Sequence, residues 1–197
     1  MKRMRPGGIL LTLAFAASLC VLGFGAYRLW RVQHTLDDGA TRLRRQMEAT
    51  AEKGNAASGT TDGYDLDGFT ALGILTFRGD AATAAPVYLG TGNDVLEKGV
   101  GLAEDTATLN QPGNAVLFGH RDSAFRAIEH LKVDDSLTLE TAAGSRTYTV
   151  RDIYITHPED PHIYDESAAV RLTLVTCYPF SFVGPAPERC VVIAEAA

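Results

Sequence analysis

The spacing of apolar and polar residues divides the chain into an apolar segment, a charged segment and a strand-rich body. Ile9 to Tyr27 runs for 19 residues without a charge, long enough as a helix to cross a bilayer core of roughly 30 Å. Residues 31–53 are helix-prone and highly charged, and Leu36, Leu43 and Met47 give only a thin apolar stripe. That pattern predicts a stalk or partner-binding helix. Gly54 to Gly68 (GNAASGTTDGYDLDG) has the composition of a flexible linker. From Phe69 onward the period shortens to that of strands. Strands are expected at Leu72–Phe77, Pro86–Gly90, Ala115–Gly119, Ser136–Thr141, Ser145–Thr156, Arg171–Thr176 and Arg189–Glu195. Those at 136–141 and 145–156 are joined by an Ala-Ala-Gly turn and read as a hairpin. Short helices are expected at Asp94–Gly99 and at Ser123–Leu131, the second capped by Asp122 or Ser123. Seven or eight short strands with small helices predict a mostly β fold, a closed barrel. The expected domains are thus an anchor segment at 1–30, a charged helix and linker at 31–68, and the barrel at 69–197.

Charge sharpens this division. The net charge is −6, yet residues 1–31 carry five basic side chains and no acid, which leaves 13 basic and 24 acidic residues in the remainder. An acidic body offers no electrostatic footprint for nucleic acid. Lys2, Arg3 and Arg5 ahead of the apolar run, and Trp30 behind it, suit an uncleaved membrane anchor over residues 9–27. The alternative is a secretory signal cleaved after Gly23-Phe24-Gly25. Arg28, Arg31, Arg42, Arg44 and Arg45 outnumber the basic residues before the run, so charge counting alone does not set the topology. The signal-like start of the chain is what places the body outside the cytoplasm.

Three cysteines are present, Cys20, Cys177 and Cys190, and no Cys-x-x-Cys pair, which removes zinc ribbons and thioredoxin-type motifs. Cys177 ends the run Leu172-Thr173-Leu174-Val175-Thr176-Cys177-Tyr178-Pro179-Phe180. Pro179 cannot donate to a sheet ladder, so the thiol sits at the mouth of a strand, where turn amides can face a developing oxyanion. A nucleophilic thiolate needs a positive neighbour, and His120 and Arg189 are the candidates. His120 ends its own strand, and Gly119 beside it removes side-chain bulk, as a reacting substrate backbone would require. Strand alternation turns Cys190 away from the face that Arg189 would share with the thiol, which assigns Cys190 to packing rather than to a disulfide. Asp122 is placed to orient His120 or Arg121, or to cap a helix. His157 and His162, with Glu159, Asp160, Asp165 and Glu166, match no metal-ligand spacing, so neither metal nor cofactor is expected.

Several thiol chemistries fail on order or spacing. A tyrosine-phosphatase loop needs arginine six residues after the cysteine, where Val183 stands. A papain-like enzyme places its histidine after the cysteine, and the caspase Gln-Ala-Cys signature is missing. An L,D-transpeptidase carries Ser/Thr-His-Gly-Cys, not Val175-Thr176-Cys177. The combination of Gly119-His120, Leu174-Val175-Thr176-Cys177 and an arginine opening the last strand resembles the sortases. The stretches Asn114 to Asp122 and Leu174 to Phe180 are similar to the proteobacterial (Gram-negative) subgroup in particular. Over Leu72 to Ala194 the resemblance implies an eight-stranded sortase barrel. It makes Cys177 the nucleophile, His120 the acid/base partner and Arg189 the oxyanion-stabilising or substrate-positioning cation. It further implies an N-terminal anchor in the inner (cytoplasmic) membrane and a catalytic domain on the periplasmic or extracytoplasmic side. The implied partners are a protein substrate with an LPXTG-like sorting signal and an amine acceptor. Cys190 departs from the family pattern, which has an aromatic residue after the arginine.

The loops His157–Ala169 and Tyr178–Glu188 flank the thiol in sequence and are the expected substrate contacts, with Asp122, Thr176, Tyr178 and Phe180 as candidate substrate-binding residues. Two other classes compete with a transpeptidase. A non-catalytic, membrane-anchored barrel would bury an inert Cys177. A plain cysteine endopeptidase would release its acyl group only to water.

Overall fold

The protein was analysed as a computed structural model that describes residues 6–52, 63–80, 83–182 and 184–197. It divides into two compact units, one ending at Thr35 and one running from Leu36 to Ala197. The helix α1 extends over Pro6–Glu52. In the first unit its apolar residues Leu13, Phe15, Leu19, Val21, Leu22 and Phe24 are exposed. Among the described residues no helix is long and apolar enough to cross a membrane, so the span expected over 9–27 is not a feature that the fold itself shows.

The second unit is built on nine strands: β1 (Tyr64–Leu66), β2 (Phe69–Phe77), β3 (Ala85–Leu89), β4 (Val100–Leu102), β5 (Gly113–Phe118), β6 (Ser136–Thr141), β7 (Gly144–Thr156), β8 (Val170–Tyr178) and β9 (Glu188–Ala196). A one-turn helix, α2 (Asn93–Leu96), joins β3 to β4. The sheet order is β1-β2-β3-β4-β5-β8-β9-β7-β6, and β6 pairs back onto β2. Eight strands therefore close a barrel, with β1 appended at its edge. β1 lies outside the closed ring, paired on one side to the start of β2.

Closure requires β6 to lie very close to β2. Gly73 pairs with Thr141, and a Cβ at Gly73 would stand 2.3 Å from the Glu140 carbonyl oxygen. The register also shifts between Ala71 and Gly73. This bulge resets the alternation, so that Leu72 and Leu75 both pack with the barrel interior while Ala71 and Ile74 face outward.

The interior is filled by Leu75, Phe77, Val87, Leu117, Phe125, Leu137, Leu139, Leu172, Leu174 and Val192, all fully buried. Tyr148 reaches through this core, and its hydroxyl donates to Asn110 Oδ1 at 2.7 Å. Burial holds the Tyr148 phenol up at about 12.

Two patches on the outside of the barrel are also apolar, and each has its own cover. Leu66, Ala71, Ile74 and Tyr88 are covered by Ala40 and Leu43 of α1. Arg42 meets Asp67 through two bonds of 3.0 and 2.9 Å, and Arg44 meets Glu140 through two of 3.3 and 2.8 Å. The first pair is exposed and the second half-buried, and both orient the helix more than they stabilise it. The second patch, Val116, Val175 and Val191, is covered by Ile163 from the loop between β7 and β8.

The compact body thus begins at Leu36, earlier than the boundary at 69 expected from composition. The thin stripe Leu36, Leu43 and Met47 has the protein's own barrel as its partner. Of the linker expected over 54–68, residues 54–62 lie outside the described residues, and Tyr64–Leu66 forms β1, which turns through Asp67 and Gly68 into β2. Leu43 is fully buried, so Leu43→Ala is expected to cost about 2–5 kcal/mol. The exposed neighbour Arg45→Ala is expected to stay within about 0.5 kcal/mol. Urea unfolding of the two variants checks this, and equal midpoints would show that the helix is a mere stalk.

Candidate active site

β8 carries the thiol. Its inward residues Leu172 and Leu174 lie in the barrel core, and Val175 faces the outer patch. Alternation then turns Thr176 inward and Cys177 outward. Cys177 is half-buried and free. The strand ends at Tyr178, before the cis Tyr178–Pro179 peptide.

On one side of β8 lies β9, antiparallel, with Cys177 directly opposite Arg189 and Thr176 opposite Cys190. Residues paired in this way share a face, with Cβ atoms roughly 4.5–5.5 Å apart. Cys190 points into the barrel core and is 2% exposed. Burial pushes its thiol up to about 11, as befits a packing residue, and all three cysteines are free.

On the other side lies β5, parallel, with Phe118 beside Val175. Continued two residues past the end of β5, this register would bring His120 toward Cys177. The Gly119 amide donates to the Val175 carbonyl at 3.3 Å, and the Thr176 hydroxyl donates to the Gly119 carbonyl at 2.7 Å. The adjacency of β5, β8 and β9 thus carries Cys177 and Arg189 as a cross-strand pair near two strand ends, with His120 two residues past the end of the neighbouring β5.

The turn after β5 is held from within. The Ser123 and Phe125 amides donate to the His120 carbonyl at 3.3 and 3.0 Å. Gly119 is buried, and a Cβ there would come 2.7 Å from the Phe125 ring. The glycine thus makes room for Phe125, not for a substrate backbone. The segment expected as a helix over 123–131 is a 3-10 helix at Arg126–His130, with Phe125 before it and no side-chain cap. Asp122 is exposed and caps nothing.

The other substrate-contact candidates divide. Thr176 is 2% exposed and spends its hydroxyl on Gly119, so it ties two strands together and offers no surface to a substrate. Tyr178 and Phe180 are half-buried and meet edge to face, centroids 5.6 Å apart. They pack on the barrel core at the rim beside the thiol. Arg189 does not extend freely into the site, because its Nη1 donates to the carbonyls of Ala186 and Glu188 at 3.3 and 2.9 Å.

The loop between β7 and β8 is fixed by residues with no obvious motif. Asn114 is buried, donates from Nδ2 to the carbonyls of Ile163 and Asp165 at 3.1 and 3.0 Å, and accepts from the Thr173 hydroxyl at 2.7 Å. Asp160 accepts from the Thr156 hydroxyl at 2.6 Å and from the His162 amide at 2.9 Å. Those two bonds, the hydroxyl first, hold its carboxyl below the usual range. His162 Nδ1 meets Asp165 Oδ2 at 3.1 Å, and that bond raises the imidazole. A cleft of about 340 Å³ opens between this loop and the β4–β5 connection, lined by Asp105, Thr106, Asn114, Tyr164 and Glu166 among others. It lies at the start of β5, roughly 20 Å along the strand from His120.

A family model described as the Sortase domain matches residues 80–197. Sortase D of Bacillus subtilis (strain 168) is 32% identical over 186 residues, covering 91% of this chain and 93% of that protein. The chain belongs to the sortase family. Sortases are cysteine transpeptidases, and this chain is an enzyme of that kind. Among solved structures, the catalytic domain of B. anthracis SrtD is 32% identical, with a TM-score of 0.55 over 72% of this sortase and 94% of that chain. A Clostridium perfringens Sortase D5 transpeptidase shares the fold at 22% identity, with a TM-score of 0.60 over 85% of this sortase and 99% of that chain.

Arg121 lies in the family-like stretch 114–122, but the sequence assigns it no role of its own. Arg121, next to His120, donates from Nη1 to the Pro179 carbonyl at 3.1 Å and from Nη2 to those of Phe182 and Gly184 at 2.5 and 3.3 Å. A basic residue after a histidine reads as a solvated charge until the loop it grips is in view.

Proposed function

We propose that this sortase cleaves an LPXTG-like sorting signal through a thioester on Cys177 and passes the acyl group to an amine, or to water. The observation that supports this is the pairing of Cys177 with Arg189 across β8 and β9, with His120 following the neighbouring strand β5. The thiolate of Cys177 attacks the scissile carbonyl carbon, forming the C–S bond of a tetrahedral intermediate. His120 gives its proton to the leaving nitrogen as the C–N bond breaks. Arg189 turns from its loop carbonyls toward the oxyanion. The incoming amine then attacks the thioester, loses a proton to His120, and expels the thiolate.

The loops at 157–169 and 178–188 supply the substrate contacts in this reading. The cleft beside Tyr164 and Glu166 lies about six extended residues along β5 from the thiol, at roughly 3.3 Å per residue, and is a further substrate contact in this reading. We also propose that the exposed apolar residues of α1 over 13–27 anchor the enzyme in the inner (cytoplasmic) membrane, with the barrel on the periplasmic or extracytoplasmic side. An exposed apolar surface of that length calls for an apolar partner. The likeness of Asn114–Asp122 and Leu174–Phe180 to the proteobacterial subgroup is what supports placing the enzyme there.

The test uses the protein with an LPXTG-type peptide and an added primary amine. Mass spectrometry is expected to find the acyl group on the proteolytic fragment that holds Cys177, and an amide product. Acyl-enzyme followed only by hydrolysed peptide would favour the endopeptidase. A thiol inert to alkylation, with no adduct, would leave the binding module.

A further inference from the structure

We propose that Arg121 is a positioning residue that ties the turn carrying His120 to the loop between Cys177 and Arg189. The inference rests on the reading of those three residues as the reacting groups.

The loop leaves β8 at Tyr178 and returns to β9 at Glu188, two residues that face each other in the sheet. Its first half folds around one guanidinium. Arg121 bonds the carbonyls of Pro179, Phe182 and Gly184, and the Phe182 amide closes a turn onto the Pro179 carbonyl at 3.2 Å. Its second half holds the other guanidinium, since Arg189 donates to Ala186 and Glu188. The donor of the first set is covalently next to His120, whose own carbonyl is fixed by the Ser123 and Phe125 amides.

A displacement of the loop therefore pulls on the His120 turn, and the loop's shape sets where Arg189 rests. A charged fork bonding several carbonyls is a strong and directional tie. It supplies what a two-step acyl transfer needs, a fixed distance between acid/base, thiol and cation across two bond-breaking events.

Two variants of the full chain test this, Arg121→Met, which keeps the length and removes the donors, and Arg121→Lys. Hydrogen–deuterium exchange reads the tie without any turnover. Exchange in the 178–184 segment of Arg121→Met is expected to rise at least about tenfold, while the strands β2, β3, β6 and β7 keep their protection. Turnover of the sorting-signal peptide, divided by the amount of Cys177 that alkylation titrates, is expected to fall about tenfold to a hundredfold in kcat, with KM changing less than about threefold. Arg121→Lys is expected to recover part of kcat, because an ammonium reaches one or two of the carbonyls but lacks the fork. Unchanged exchange over 178–184 overturns the proposal. So does a kcat per titrated thiol equal to that of the unaltered enzyme. If the unaltered enzyme forms no thioester, the transpeptidase reading fails while the exchange measurement still decides whether Arg121 holds the loop.

Discussion

His120→Ala is expected to lower kcat/KM for a sorting-signal peptide by about 10²- to 10⁴-fold, the usual contribution of a positioned general acid or base. The loss should depend on the leaving group. A peptide nitrogen cannot depart without a proton, so removing the imidazole blocks collapse of the tetrahedral intermediate. A substrate with a thiol or activated alcohol in place of that nitrogen leaves without protonation. The defect is therefore expected to shrink at least tenfold with a thioester or activated ester substrate. Burst kinetics with the two substrate types checks this. An equal defect for both would mean that His120 serves to activate Cys177 and not to protonate the leaving group. The fold should be unaffected, because His120 lies beyond the end of β5 and the bonds of its turn run through its backbone.

The positions of Cys177, His120 and Arg189 at or just past strand ends are legible in the sequence because each stands where a strand-like run gives way to turn residues. The barrel is legible for the same reason: β6, β7, β8 and β9 have apolar alternation and clear turns, and their bounds fall within two residues of those expected. β4 is not, since Val100-Gly101-Leu102 is three residues long and takes its pairing from β3 and β5. Nor does the stripe Leu36, Leu43 and Met47 say what it packs on. The same three positions serve a stalk, a partner or the chain's own barrel, and only the outward face of β2 decides. Gly119 shows the opposite case, a position rightly singled out for the wrong neighbour, since Phe125 occupies the space. Arg121, Asn114 and Asp160 bond to residues 49 to 63 positions away or to a local loop backbone. Backbone carbonyls and amides are the same at every residue, so no pattern of side chains announces the contacts made to them.

Arg189 separates two roles that the sequence leaves equal, oxyanion stabilisation and positioning of substrate. Arg189→Met is expected to lower kcat about 10²- to 10³-fold with KM nearly unchanged, as for loss of one oxyanion donor. Arg189→Lys keeps the charge but not the planar fork, and is expected to fall between the two. A rise in KM at constant kcat would instead mark a cation that binds substrate and transition state alike. The geometry favours the first outcome. Arg189 stands opposite Cys177 in the sheet, so its side chain shares the thiol's face. In the free enzyme its guanidinium is held by the Ala186 and Glu188 carbonyls. Those bonds compete with a neutral substrate carbonyl on nearly equal terms, and they lose to a full negative charge, because a hydrogen bond between two ions is stronger than one from an ion to a neutral acceptor. A cation stored in this way is drawn over the thiol mainly as the oxyanion forms, and its effect should therefore be found in kcat.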